Sequence, residues 1–150
     1  MSDRLLILAI AAAAGALLLL AYSLYRRLWG PSPEWLDVDE LGLELMSGCC
    51  AFVVFTTPAC RPCKAVLRIV RGAAERSGGL TEVTTVDAME HPDLAVRYDV
   101  RTIPTTFLIT ASGHVIARWT RVPDTSAVEA ALSGVDDRGE IRWRRRRERV

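Results

Sequence analysis

Most proteins distribute charge along the whole chain, but this 150-residue sequence leaves one long gap: from Leu5 to Tyr25 no side chain is charged. The gap excludes an ordinary amphipathic surface helix there, because such a helix keeps a charged or polar face. No unit repeats along the chain, which excludes a solenoid or propeller. Histidine is scarce, with only His91 and His114, and neither is spaced to serve as a base or a metal ligand, so both read as surface residues. Lysine occurs once, as Lys64, among nineteen basic residues, and no mechanism follows from that bias. The remaining composition is ordinary, with half the residues apolar and a quarter charged. Outside the uncharged stretch there is room for one core of about 100 residues. The net charge of +1 hides a segregation: residues 138–150 hold seven arginines against Glu140 and Glu148, a local +5 that leaves the rest of the chain at −4.

The uncharged stretch is dominated by Leu, Ala and Ile. At about 1.5 Å rise per residue, a helix over 5–25 crosses a hydrocarbon core of roughly 30 Å. A cleaved signal would have an apolar region of about 7 to 15 residues and a better small-x-small site than Ala21-Tyr22-Ser23. Residues 1–29 therefore read as one retained N-terminal transmembrane helix with its flanks. Tyr22, Tyr25 and Trp29 stand where amphipathic rings favour the headgroup region. Orientation sets Arg4 and the amino terminus against Arg26 and Arg27, a narrow margin. The Arg-rich tail, 135–150, would be drawn to the anionic lipid of a cytoplasmic leaflet, which favours a cytoplasmic domain on a single-pass membrane protein. The alternatives are an extracytoplasmic domain and a tail that is merely solvated. No basic face or recognition motif accompanies the tail, so specific nucleic-acid binding is not expected.

Residues 30–48 form a linker and lead-in: Gly30 to Trp35 carries Pro and Gly punctuation, and Leu36 to Gly48 has no clear period. Cys50 to Thr56 is an apolar, β-rich run that reads as a buried strand. From Arg61 to Ser77, Cys63, Val66, Leu67, Val70 and Ala74 follow helical spacing, with Lys64, Arg68, Arg71 and Glu75 on the other side. Gly78-Gly79 ends that helix. Leu80 to Asp87 reads as a strand, the stretch from His91 as a short helix with Pro92 in its first turn, and Thr105 to Thr110 as a third strand. A turn at Ala111-Ser112-Gly113 leads into a hairpin partner, His114 to Trp119, and Asp124 to Leu132 reads as a last helix. The order βαβαββα joins a right-handed parallel crossover to an antiparallel hairpin, which gives an α/β domain over 49–134 with a central mixed β-sheet flanked by helices.

Cys60 and Cys63 fall at the start of the first helix of this domain. Three-residue spacing puts both side chains on one face, near the separation a disulfide needs. The unpaired N–H groups and dipole at that terminus favour a thiolate on Cys60, and Arg61 and Lys64 add to the effect. Cys63, one turn in, is more enclosed and keeps its proton longer. The asymmetry makes Cys60 the nucleophile on a substrate disulfide and Cys63 the thiol that resolves the mixed disulfide. Pro62 stiffens the first turn at a position whose N–H has no helical partner. A lone Cys-x-x-Cys also fits two buried thiols or half a zinc site; its position between a strand and a helix of a βαβ unit favours the redox reading.

The stretch from about Cys50 to Leu132 resembles the thioredoxin family. The pieces that carry the resemblance are FTTPACRPCK, the strand ending TTVD, the helix HPDLAVRYDVRTIPT and the hairpin TTFLITASGHVIARW. The resemblance implies a thioredoxin-like fold, a redox-active Cys60–Cys63 disulfide in a CRPC active site, and a cis Pro104 facing it. It makes Ile103 the residue whose backbone pairs with a bound peptide. It also marks departures. Thioredoxins proper carry tryptophan where this chain has Ala59, which opens the groove beside Cys60, and a buried acid where it has Val54. The resemblance implies that this acid aids proton transfer when the second thiol attacks, so with Val54 that step falls to water or another group. Arg61 replaces a glycine and should make the couple more oxidising by stabilising its reduced form.

Cys49 and Cys50 read as small core residues; neighbours on a strand point to opposite faces and do not chelate one metal together. Asp87 reads as a turn residue, and Trp35, Trp119 and Trp143 as packing or interfacial side chains. The reading that results is a membrane-anchored thiol-disulfide oxidoreductase of the protein-disulfide reductase type. Cys60 and Cys63 are catalytic, Arg61 and Pro62 tune the couple, and Ala59, Ile103 and Pro104 contact substrate. It needs no metal or organic cofactor and exchanges with protein or peptide thiols, its electrons coming from a donor the sequence does not identify. The alternative is a redox-inactive binding module or metal carrier on the same fold.

Overall fold

The computed structural model describes residues 12–21 and 33–135. The chain falls into two compact units, Met1–Ser32 and Pro33–Val150. In the first, 12–21 is helical and Leu17 to Leu20 are exposed. Among the described residues no helix is long and apolar enough to cross a membrane. The rest of the 5–25 stretch, its aromatic flank, the Arg-rich tail beyond Val135, and Trp143 lie outside the described residues.

The second unit is built on a four-stranded sheet. Its elements are β1 (Cys50–Thr56), α1 (Arg61–Arg76), β2 (Thr81–Asp87), α2 (Pro92–Arg97), β3 (Thr105–Thr110), β4 (Val115–Trp119) and α3 (Thr125–Ser133). The spatial order is β2-β1-β3-β4, with β2 parallel to β1 and the other two pairings antiparallel. β1 is central, so both of its faces are covered, and residues 51–55 are completely buried. That is why β1 is an unbroken apolar run and not an alternating one.

The period of two sorts the core into layers. Cys50, Phe52 and Val54 of β1 and Leu108 of β3 pack with Val66, Val70 and Ala73 of α1 and Val128 of α3. Ala51, Val53 and Phe55, with Phe107 and Ile109, pack on the opposite face with Leu94, Tyr98, Leu36 and Leu43. Each fully buried side chain of this size stabilises the fold by about 1.5–3 kcal/mol relative to exposure.

The lead-in, aperiodic in sequence, takes its structure from what it docks on. The Leu36 N–H donates to the Gly113 carbonyl (2.8 Å), the Val115 N–H donates to the Glu34 carbonyl (3.0 Å), and Trp35 bridges to His114 at the start of the hairpin strand. His114 is accordingly half-buried rather than the exposed residue its position after a turn suggests. Gly113, at φ 84°, lies so close that an added Cβ would overlap the Leu36 carbonyl oxygen, so a side chain there would displace the lead-in. The Asp37 carboxylate accepts from the Asp39 and Glu40 N–H groups, and the Tyr98 hydroxyl donates to Glu40 (2.8 Å) while accepting from the Asp37 N–H (3.1 Å). Leu36 and Leu43 thereby close one face of the sheet.

Candidate active site

Thr57 to Cys60 forms a turn, closed by the Cys60 N–H donating to the Thr57 carbonyl (3.0 Å), that carries the chain from the end of β1 into α1. Cys60 is the N-cap: its backbone is extended and its Sγ accepts from the Cys63 N–H at 3.2 Å. A sulfur thus occupies the place where Ser or Asp usually satisfies the first free donors of a helix. Cys60 and Cys63 are joined by a disulfide, with Cα atoms 5.4 Å apart. Cys60 is half-buried and Cys63 is buried at 2% exposure, so a partner reaches the first sulfur and not the second. Ala59, Arg61 and Pro62 are all exposed around Cys60, with Pro62 in the first helical turn.

Strand register brings the other predicted residues to the same end of the sheet. Phe55 of β1 pairs with Thr105, the first residue of β3, so Ile103 and Pro104 stand beside the end of β1 from which the Cys60 turn departs. The Ile103–Pro104 peptide bond is cis, Pro104 is buried and Ile103 is half-buried. Periodicity did not identify the residues that brace this loop. The Thr105 hydroxyl donates to the Thr102 carbonyl (2.6 Å) across the proline, and the Arg118 guanidinium donates to the Asp99 carbonyl (2.6 Å) from β4. Asp99 takes a left-handed turn (φ 52°), which Asp tolerates better than most residues. Burial pulls the Arg118 guanidinium below its ordinary range, Asp99 opposing the shift and Arg101 adding to it.

Val54 is fully buried, and the core layer beneath α1 contains no carboxylate among the described residues. Its cross-strand partner is Thr106, whose buried hydroxyl has no hydrogen-bond partner among the described residues. Asp87 is the last residue of β2, and its carboxylate supports the turn that follows by accepting from the Met89 N–H at 2.8 Å. The Trp35 indole donates to the Ser112 carbonyl, and Trp119 packs near Phe52 with ring centroids 6.4 Å apart.

The adjacent cysteines separate: Cys50 is buried and Cys49 is half-buried, so only the former fits the core role expected of both. Burial pushes the Cys50 thiol up to about 11, with Cys49 adding to it. The folded state therefore holds this proton longer than the unfolded chain does. The resulting share of stability is present below about pH 9 and is lost as pH rises towards 11. Native alkylation near neutral pH is expected to modify Cys49 and spare Cys50 until the protein unfolds, as peptide mass mapping would read out. Equal labelling of the two would contradict the burial argument. Among the described residues no three His, Cys, Asp or Glu side chains cluster closely enough to hold a metal ion.

A disulfide at a helix start, at the same end of a mixed sheet as a cis proline that leads into the neighbouring strand, defines a thiol-disulfide oxidoreductase. The family model described as thioredoxin matches residues 45–132, and the chain belongs to the thioredoxin family. Thioredoxin 1 of a Nostoc species is 32% identical over 74 residues, 49% of this chain and 69% of its own length. The mitochondrial thioredoxin of Mus musculus is 30% identical over 80 residues, 53% of this chain but only 48% of its own length. Two solved structures share the fold: malaria parasite thioredoxin-2 (TM-score 0.54, 17% identity, covering 61% of this chain and 87% of that one) and Fasciola hepatica thioredoxin (TM-score 0.50, 22% identity, covering 64% and 86%).

Proposed function

We propose that the chain is a membrane-anchored oxidoreductase that exchanges disulfides with protein or peptide thiols through Cys60 and Cys63. The observation that carries this reading is the Cys60–Cys63 disulfide itself, with its first sulfur capping α1 within reach of solvent and its second sulfur buried. In the reducing direction the Cys60 thiolate bonds to one substrate sulfur, and the other substrate sulfur leaves and takes a proton. The Cys63 thiolate then bonds to Cys60, releasing the first substrate sulfur as a thiol. Two electrons and two protons pass from the cysteine pair to the substrate, and a thiol donor restores the pair. Arg61 and Pro62 tune the couple, while Ala59, Ile103 and Pro104 form the contact surface for the peptide. The cysteine pair needs no metal or organic cofactor for this chemistry.

The anchor is residues 5–25, supported by an uncharged run long enough to span, and the tail favours a cytoplasmic domain held close to anionic lipid. A C-terminal reporter active in only one compartment tests that orientation; activity confined to the extracytoplasmic side would reverse it. Equilibration of the pair with glutathione buffers tests the chemistry. With Arg61 in place of glycine the expected reduction potential lies above the roughly −270 mV typical of thioredoxin. Failure of the pair to interconvert in any buffer would remove the redox reading.

A further inference from the structure

The helix that begins with the disulfide carries more charge than its packing explains. Arg61, Lys64, Arg68 and Arg71 succeed one another at helical spacings of three, four and three residues on the face of α1 turned away from Cys63, Val66 and Val70. All four are exposed, and none forms a salt bridge among the described residues. Glu75, one turn beyond Arg71, is the carboxylate that shares this face. The concentration runs against the composition of the unit, because residues 33–135 hold thirteen acidic and nine basic side chains.

The acids gather elsewhere. Glu34, Asp37, Asp39, Glu40 and Glu44 all belong to the lead-in, which covers the opposite face of the sheet and has no basic residue of its own between 33 and 49. The sheet therefore separates a positive α1 layer from a negative lead-in layer. Such a separation orients an approaching charged surface before contact.

We propose that the α1 stripe is the docking surface for the protein that exchanges electrons with Cys60, and that this partner presents an acidic surface to it. This rests on the redox reading above. Arg61 lies between the two disulfide cysteines, so a surface seated on the stripe also covers the accessible Cys60 sulfur. The ten helical steps from Arg61 to Arg71 span about 15 Å, within the footprint of a partner that buries about 800 Å² on each side. A membrane lying on the stripe would instead cover the sulfur that must stay open to substrate, and this favours a protein.

The test uses the full-length reduced protein in uncharged detergent micelles. Two disulfide peptides differ only in flanking the cystine with four glutamates or four lysines. At low salt the Glu-flanked peptide is expected to exchange about tenfold faster than the Lys-flanked one, with the gap closing near 0.5 M salt. Arg68→Glu/Arg71→Glu is expected to reverse the preference. Anisotropy of labelled peptides carrying serine in place of cysteine reads docking without chemistry. Charge-selective binding without exchange would support the docking surface and remove the redox reading; exchange with no charge preference would do the opposite. Protection of Arg68 and Arg71 from phenylglyoxal by phosphatidylserine-containing micelles, but not by the Glu-flanked peptide, would assign the stripe to lipid and overturn the proposal.

Discussion

Exchange of Cys63 for serine is expected to turn a catalyst into a trap. Cys60 still reaches a substrate disulfide, because its sulfur caps α1 at the rim of the domain and needs nothing from Cys63 to be accessible. The mixed disulfide then waits for an external thiol. A resolving sulfur one helical turn away enjoys the high effective concentration of an intramolecular group, which a millimolar thiol in solution does not match. Turnover should therefore fall by on the order of 10³-fold or more while a covalent protein-substrate adduct accumulates. Cys60→Ser should abolish turnover equally and accumulate no adduct, since the remaining sulfur is 2% exposed. Insulin reduction with intact-mass analysis distinguishes the two. Adducts on Cys63 in the Cys60→Ser protein would reverse the assigned roles, and unaltered turnover in both variants would remove the pair from the chemistry.

Legibility followed periodicity. Six buried residues in a row, ending at a half-buried Thr56, made β1 readable to its last residue, and the amphipathic spacing of α1 placed its start at Arg61, with its end at Arg76 instead of Ser77. Cys60 could be assigned to a helix terminus from spacing alone, yet the cap formed by its own sulfur required the structure. Pro104 was identifiable through a resemblance, whereas its braces, Thr105 on Thr102 and Arg118 on Asp99, are contacts that no local pattern encodes. The lead-in was illegible for the same reason. Leu36 and Leu43 are buried by a sheet assembled from residues 50 to 119, and the Asp37–Tyr98 and Leu36–Gly113 hydrogen bonds span sequence separations that a sliding window does not see. The division of charge across the sheet was hidden too, because the acidic and basic groups occupy opposite layers only after folding.

Phe107→Ala should be the most damaging change in the core. Phe107 is fully buried on β3, with its ring 5.9 Å from Phe55 in an edge-on contact, and Phe55 is in turn 6.4 Å from Tyr98. Phe107 pairs directly with Val53, so the Phe55 contact is the diagonal one, which aromatic side chains reach across adjacent strands. These rings join the two strands that deliver Cys60 and Pro104 to one end of the sheet. Truncating such a ring ordinarily costs about 3–5 kcal/mol. Here the Arg118 guanidinium also lies 5.3 Å from the ring centroid, with its Nε unpartnered among the described residues and its side chain only 14% exposed. Alanine would leave that cation without its ring face, which argues for the upper part of the range. Against a typical total of about 5–15 kcal/mol, the variant should unfold at clearly lower denaturant than the parent, and Phe107→Leu should recover most of the difference. If urea unfolding places Phe107→Ala within about 1 kcal/mol of the parent, the ring is not what holds β1 against β3.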